Sequence, residues 1–135
     1  MFYNLYQHTK YDSQFTSICC ENKDSDIGYI NLIIDKISLQ GLNDGFLYAC
    51  QVNNMKVVLH LLEKYSEHLY SINKGFVIAC NHNHLNLAKF FLDNYNIDIH
   101  YDRDCALENA KLNNHTGIID LLQNQMRVPS SHPNN

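Results

Sequence analysis

The stretch from Gly45 to Leu92 states one plan twice. GFLYACQVNNMKVVLHLL begins at Gly45, and GFVIACNHNHLNLAKFFL begins thirty residues later at Gly75. Superposed, Gly45/Gly75, Phe46/Phe76, Ala49/Ala79, Cys50/Cys80, Asn53/Asn83, Met55/Leu85, Val57/Leu87 and Leu61/Phe91 agree in identity or in apolar character. An internal period of this length constrains the fold more than composition does, because one copy is a small supersecondary unit that cannot bury its apolar faces alone. Each copy carries a short apolar run, a polar break (Asn53-Asn54, Asn83-His84), a longer apolar run and a polar connection. Met55, Val58, Leu59, Leu61 and Leu62 fall at helical spacing. The pattern predicts helices near 45–52 and 55–65, 75–82 and 85–95, and 105–112 and 116–125.

Weaker copies flank the pair. From Asp12, FTSICC supplies a first run, ENKDSD a polar break and IGYINLIIDKI a second run. Tyr29, Ile30, Ile33 and Ile34 lie over Val57, Val58, Leu61 and Leu62 without a gap, with one extra residue then needed in the first run. Near the C-terminus, Ala110, Asn114 and His115 answer Ala79, Asn83 and His84 at a distance of 31 residues. The expected organisation is an N-terminal cap or tail over 1–11, repeats over about 12–39, 40–69, 70–100 and 101–126, and a disordered tail over 127–135. That tail holds both prolines and no apolar run.

Composition narrows the function classes. Charged residues make up 18% and apolar residues 45%, the balance of a folded chain. A net charge of −4 lacks the clustered Lys and Arg that phosphate-backbone affinity requires, so nucleic acid is not an expected partner. No run of about 18 apolar residues marks a membrane span, and MFYNLYQHTK does not read as a secretion signal. The cysteine count is odd, at five, and Cys50 and Cys80 recur at one helix-facing position, which reads as buried free thiols in a reducing compartment. An intracellular, cytoplasmic monomer is expected.

The pattern A-[AC]-x-x-[GN]-[HN]-x-x-[VIL]-[VIL]-x-x-[LF]-[LF], present as ACQVNNMKVVLHLL and less neatly as ACNHNHLNLAKFFL, resembles the ankyrin repeat. DNYNIDI is similar to that family's E-N-G-A-D-I ending with one residue inserted, and the Asn/Tyr/Ile/His-rich vocabulary is similar to ankyrin proteins of large DNA viruses. Asp44-Gly45-Phe46-Leu47 and Lys74-Gly75-Phe76-Val77 stand where the family's Thr-Pro-Leu-His would be. Asn53, Asn83 and Asn114 occupy the helix–helix turn where the family has Gly, and Asn is the side chain that best tolerates a left-handed backbone there. The resemblance implies an all-α ankyrin-repeat solenoid of about four stacked helix–turn–helix repeats, without enzymatic activity or cofactor. It implies a protein partner bound through the concave face and finger tips. Carried over position by position, the partner-binding residues are Gln40, Asn43, Gln51 and Val52, then Tyr70, Ser71, Asn73, Asn81 and His82, then Tyr101, Asp102, Asp104 and Asn113. Tyr70 and Tyr101 are equivalent finger-tip positions, and Tyr is enriched at interface hot spots.

Two constellations offer other chemistry. Cys80, His82 and His84 include zinc-ligand types, but the helical register turns Cys80 into the core and points the three apart, so no metal site is expected. His100 with Asp102 or Asp104 would suit acid–base work, which makes a small metal-dependent or acid–base enzyme using His82, His100 and Asp102 the alternative reading. A third reading is a regulatory arm that works only inside a larger assembly.

Overall fold

A computed structural model describes residues 5–21 and 26–127, and every regular element among them is helical. The chain divides into two compact units, residues 1–71 and 72–135.

The first unit contains α1 (Leu5–Glu21), α2 (Asp26–Ile33), α3 (Leu39–Gln51) and α4 (Met55–Tyr65), with single 3-10 turns at Ile34–Lys36 and Ser66–His68. Helix α1 takes in residues 5–11, so these residues are helical where a cap or tail was expected. Phe15 and Cys19 of α1 are fully buried, as are Phe46 and Cys50 at the matching places of α3. Helix α1 lies against α3 through Gly45, whose missing side chain leaves room for the Phe15 ring and the Cys19 sulfur. The first apolar runs of these two copies therefore align without a gap, 31 residues apart. The discrepancy sits between the helices: Phe15 and Ile30 are fifteen residues apart where Phe46 and Val58 are twelve apart, so the insertion is larger than the single residue expected. Helix α2 buries Ile30 and Ile33 and leaves Tyr29 and Leu32 exposed. Its Asn31 Oδ1 accepts from the Tyr65 hydroxyl at 3.1 Å and lies 2.9 Å from His60 Nε2, which ties α2 to α4.

The second unit contains α5 (Ile72–Asn81), α6 (Leu85–Asn94), α7 (Tyr101–Leu112) and α8 (Thr116–Arg127). Helix α8 includes Arg127, and the remainder of the tail expected to be disordered lies outside the described residues. In α7, Asp102, Arg103 and Asp104 have left-handed backbone (φ 52, 60 and 61°), so the regular right-handed helix starts after them. Its core is built on Phe76, Ala79 and Cys80 of α5, Leu87, Ala88 and Phe91 of α6, Ala106 and Ala110 of α7, and Ile118 and Leu122 of α8. Phe76 and Phe91 meet edge to face, with centroids 6.4 Å apart and planes at 89°, a preferred aromatic geometry. A fully buried side chain of this size contributes about 1.5–3 kcal/mol.

One turn recurs in both units. Asn53, Asn83 and Asn114 follow α3, α5 and α7 with φ of 59, 60 and 57°. The next residue's N–H returns to a carbonyl five residues back: Asn54 to Ala49 at 2.8 Å, His84 to Ala79 at 2.8 Å and His115 to Ala110 at 2.9 Å. These are the hydrogen bonds of a Schellman closure, with Asn in the left-handed place usually held by Gly. Asn54 then begins α4, its side-chain oxygen accepting from Val57 N–H while its amide donates to the Cys19 carbonyl at 3.0 Å. Among the described residues no helix is long and apolar enough to cross a membrane.

Candidate interaction surface

In the second unit the exposed side of α5 and the start of α7 enclose a groove of about 540 Å³ lined by Lys74, Val77, Ile78, Asn81, Tyr101, Asp102 and Cys105. Lys74, Ile78 and Asn81 reach it from one face of α5, since positions i, i+4 and i+7 of a helix share a side. Val77 and Ile78 make an apolar floor, and the Lys74 ammonium and Asp102 carboxylate give it one charge of each sign. Asn81 is held from α7: its Oδ1 accepts from Asn109 Nδ2 at 3.1 Å, and the same nitrogen donates to Cys105 Sγ at 3.2 Å. Three of the expected contact residues, Asn81, Tyr101 and Asp102, thus come together. Lys74, Val77, Ile78 and Cys105 were not among those expected, although the helical spacing of Lys74 and Ile78 with Asn81 was a visible signal.

The other expected residues divide. Gln40, Gln51, Val52 and Tyr70 of the first unit are exposed, Tyr70 at 67% of its surface. His82 and Asn113 of the second are exposed as well, His82 stacked on His84 with centroids 6.0 Å apart and Asn113 donating to the Asn109 carbonyl at 2.9 Å.

Asn43 and Ser71, expected on the contact surface, are instead buried. Asn43 is 1% exposed and its side chain makes four hydrogen bonds: Nδ2 donates to the carbonyls of Leu39 (3.0 Å) and His68 (3.1 Å), and Oδ1 accepts from Tyr70 N–H (3.0 Å) and Ser71 Oγ (2.8 Å). An amide with its full complement of partners has nothing to offer a ligand. Asn73 and Asp104, at the matching places of α5 and α7, are similarly engaged. Asn73 Oδ1 accepts Asp98 N–H at 2.9 Å, and the Asp104 carboxylate contacts His100 Nδ1.

That last contact bears on the acid–base constellation, because His100 faces Asp104 and not Asp102. His100 N–H also donates to Asp98 Oδ1 at 3.0 Å, so this segment is braced within itself. Cys80 is fully buried, and burial pushes its thiol up to about 12, so it stays protonated at neutral pH. Burial likewise raises Cys19 and Cys50 far above the usual thiol range. Among the described residues no three His, Cys, Asp or Glu side chains converge as a metal site would require. Compared with known proteins, the chain matches no family model, and no curated protein or solved structure matches it.

Proposed function

We propose that this chain is an ankyrin-type binding module that engages a protein partner without catalysing a reaction. The observation that carries the reading is the α5/α7 groove, where an apolar floor is rimmed by a tyrosine, an amide and charges of both signs. This mixture suits recognition of another polypeptide, since interfaces combine an apolar centre with a polar rim and favour Tyr among their anchors. Tyr70, exposed on the segment between α4 and α5, adds a second anchor of the same type. The repeated helix–turn–helix plan, the Asn-closed turns and the small residues Ala49, Ala79 and Ala110 in α3, α5 and α7 support the ankyrin reading.

The test is a paired substitution, Tyr70→Ala with Tyr101→Ala, in the full chain. Both rings are exposed, so the melting temperature should hold within about 2 °C, because surface changes are usually within ±0.5 kcal/mol. Partner capture should fall by about tenfold or more, the loss expected of an interface anchor. Retained capture with a lowered melt would assign the tyrosines a bracing role and place the interface elsewhere.

A further inference from the structure

We infer that Asp12, Asn43 and Asn73 form a register of positioning residues that hold the segment following each helix pair, and that Asn43 in this way sets how Tyr70 is presented. The inference rests on the reading of Tyr70 as a contact residue. The three are spaced by 31 and 30 positions, with Asp104 a further 31 along. Each precedes a buried Phe by three residues (Phe15, Phe46, Phe76), so each leaves its helix at the same angle from the core. The side-chain oxygen of each accepts a backbone N–H 25 to 27 residues ahead: Asp12 from Ser38 at 2.8 Å, Asn43 from Tyr70 at 3.0 Å and Asn73 from Asp98 at 2.9 Å. In the first unit a serine hydroxyl donates to the same side chain, Ser38 Oγ to Asp12 at 2.6 Å and Ser71 Oγ to Asn43 at 2.8 Å.

The chemistry explains the residue type. Segments between helix pairs lack a ladder to satisfy their own N–H groups, and each such group needs an acceptor. Asp and Asn carry a carbonyl-type oxygen on a short stem with two accepting lone pairs, so one side chain can take both the N–H and the hydroxyl. Their stem has few rotatable bonds, so the held backbone inherits the rigidity of the helix. The fourth member, Asp104, is engaged by His100 of the segment that precedes it. At Asn43 the consequence is specific: the peptide N–H it grips belongs to Tyr70, whose ring is exposed while its backbone is held.

The experiment is residue-resolved amide exchange on the full chain by NMR, with Asn43→Ala, Ser71→Ala and Asn73→Ala. Asn43→Ala should speed exchange at the Tyr70 amide about tenfold beyond any change at Val58 and Leu61, the loss of one hydrogen bond. Ser71→Ala keeps the Asn43 oxygen and should leave the Tyr70 amide within about twofold. Asn73→Ala repeats the test at the Asp98 amide, at a side chain that is half-buried where Asn43 is fully buried. Acceleration spread evenly over the core, or no change at Tyr70 and Asp98, overturns the inference. Should Asn43→Ala fail to fold, the Asp98 response to Asn73→Ala decides the matter. Capture separates the two readings. If Tyr70→Ala leaves capture intact while Asn43→Ala frees the Tyr70 amide, the contact reading fails and the positioning role stands. If Tyr70→Ala abolishes capture while the Tyr70 amide stays protected in Asn43→Ala, the reverse holds.

Discussion

Gly45→Ala and Gly28→Ala are the same substitution in two helices and should have opposite signs. A Cβ on Gly45 would lie 2.6 Å from Phe15 Cδ2 and 3.1 Å from Cys19 Sγ, with Phe15 Cε2 closer still. Carbon atoms in contact sit about 3.5–4.0 Å apart, so the ring must retreat by roughly 1 Å or more. Phe15 is fully buried among close-packed neighbours, and such overpacking costs about 1–3 kcal/mol, here near the upper end. Ala gains about 1 kcal/mol over Gly in a helix, which leaves a net loss of about 2 kcal/mol. A Cβ on Gly28 meets nothing within 4 Å, so Gly28→Ala keeps only the propensity gain, about 0.5 kcal/mol so near a helix start. The assay is urea unfolding at equilibrium, comparing midpoints at constant slope. In the Gly45→Ala background, Phe15→Leu should cost at least about 1 kcal/mol less than it does alone, because the smaller side chain yields the space. A neutral or stabilising Gly45→Ala, or additive effects in the double variant, would refute the proposed close approach of α1 and α3.

Three further outcomes follow from other parts of the molecule. The raised Cys80 thiol is protonated in the folded chain to about pH 12 but ionises from about 9 when unfolded, so its contribution is whole below pH 9 and is lost as pH rises toward 12. Cys80→Ala should therefore flatten the alkaline stability slope by about 1.4 kcal/mol per pH unit in that window, and parallel slopes would contradict the thiol's burial. At the left-handed turns, Asn53→Ala, Asn83→Ala and Asn114→Ala should each cost about 1 kcal/mol while the Gly variants are neutral or slightly stabilising, read by thermal melts. Helix α2, which buries little beyond Ile30 and Ile33, should exchange its amides faster than α4, and equal protection would show that its exposed Tyr29 and Leu32 are covered in solution.

Much of the local architecture was legible in the amino-acid order. Val57, Val58, Leu61 and Leu62, and Leu87 and Phe91, repeat at helical spacing and are buried, whereas Met55, Leu59 and Phe90 beside them are only half-buried. A helix stripe is a property of one segment, so its period survives without knowledge of what it packs against. Asn53, Asn83 and Asn114 were readable as left-handed turn residues for the same reason, because backbone preference belongs to the residue itself. Of the groove, Lys74, Ile78 and Asn81 share a face of α5 by spacing alone, although only Asn81 of the three was expected as a contact residue.

The tertiary structure decided the rest, and the polar residues show why. Asn43 and Tyr70 both read as surface positions, yet one is sealed in four hydrogen bonds and the other stands exposed. Nothing within either residue separates them. Asn43 is buried because the backbone of Tyr70, 27 positions away, passes 3.0 Å from its oxygen. Tyr101 and Asp102 complete the groove only because α7 lies beside α5. Helix α1 takes in residues 5–11, where the sequence alone suggests a cap or tail, in a chain where Gly45, thirty residues beyond Phe15, leaves space for that ring. A hydrophobic period acts over one turn of helix, whereas a hydrogen bond or a close contact depends on which distant segment arrives within about 3 Å.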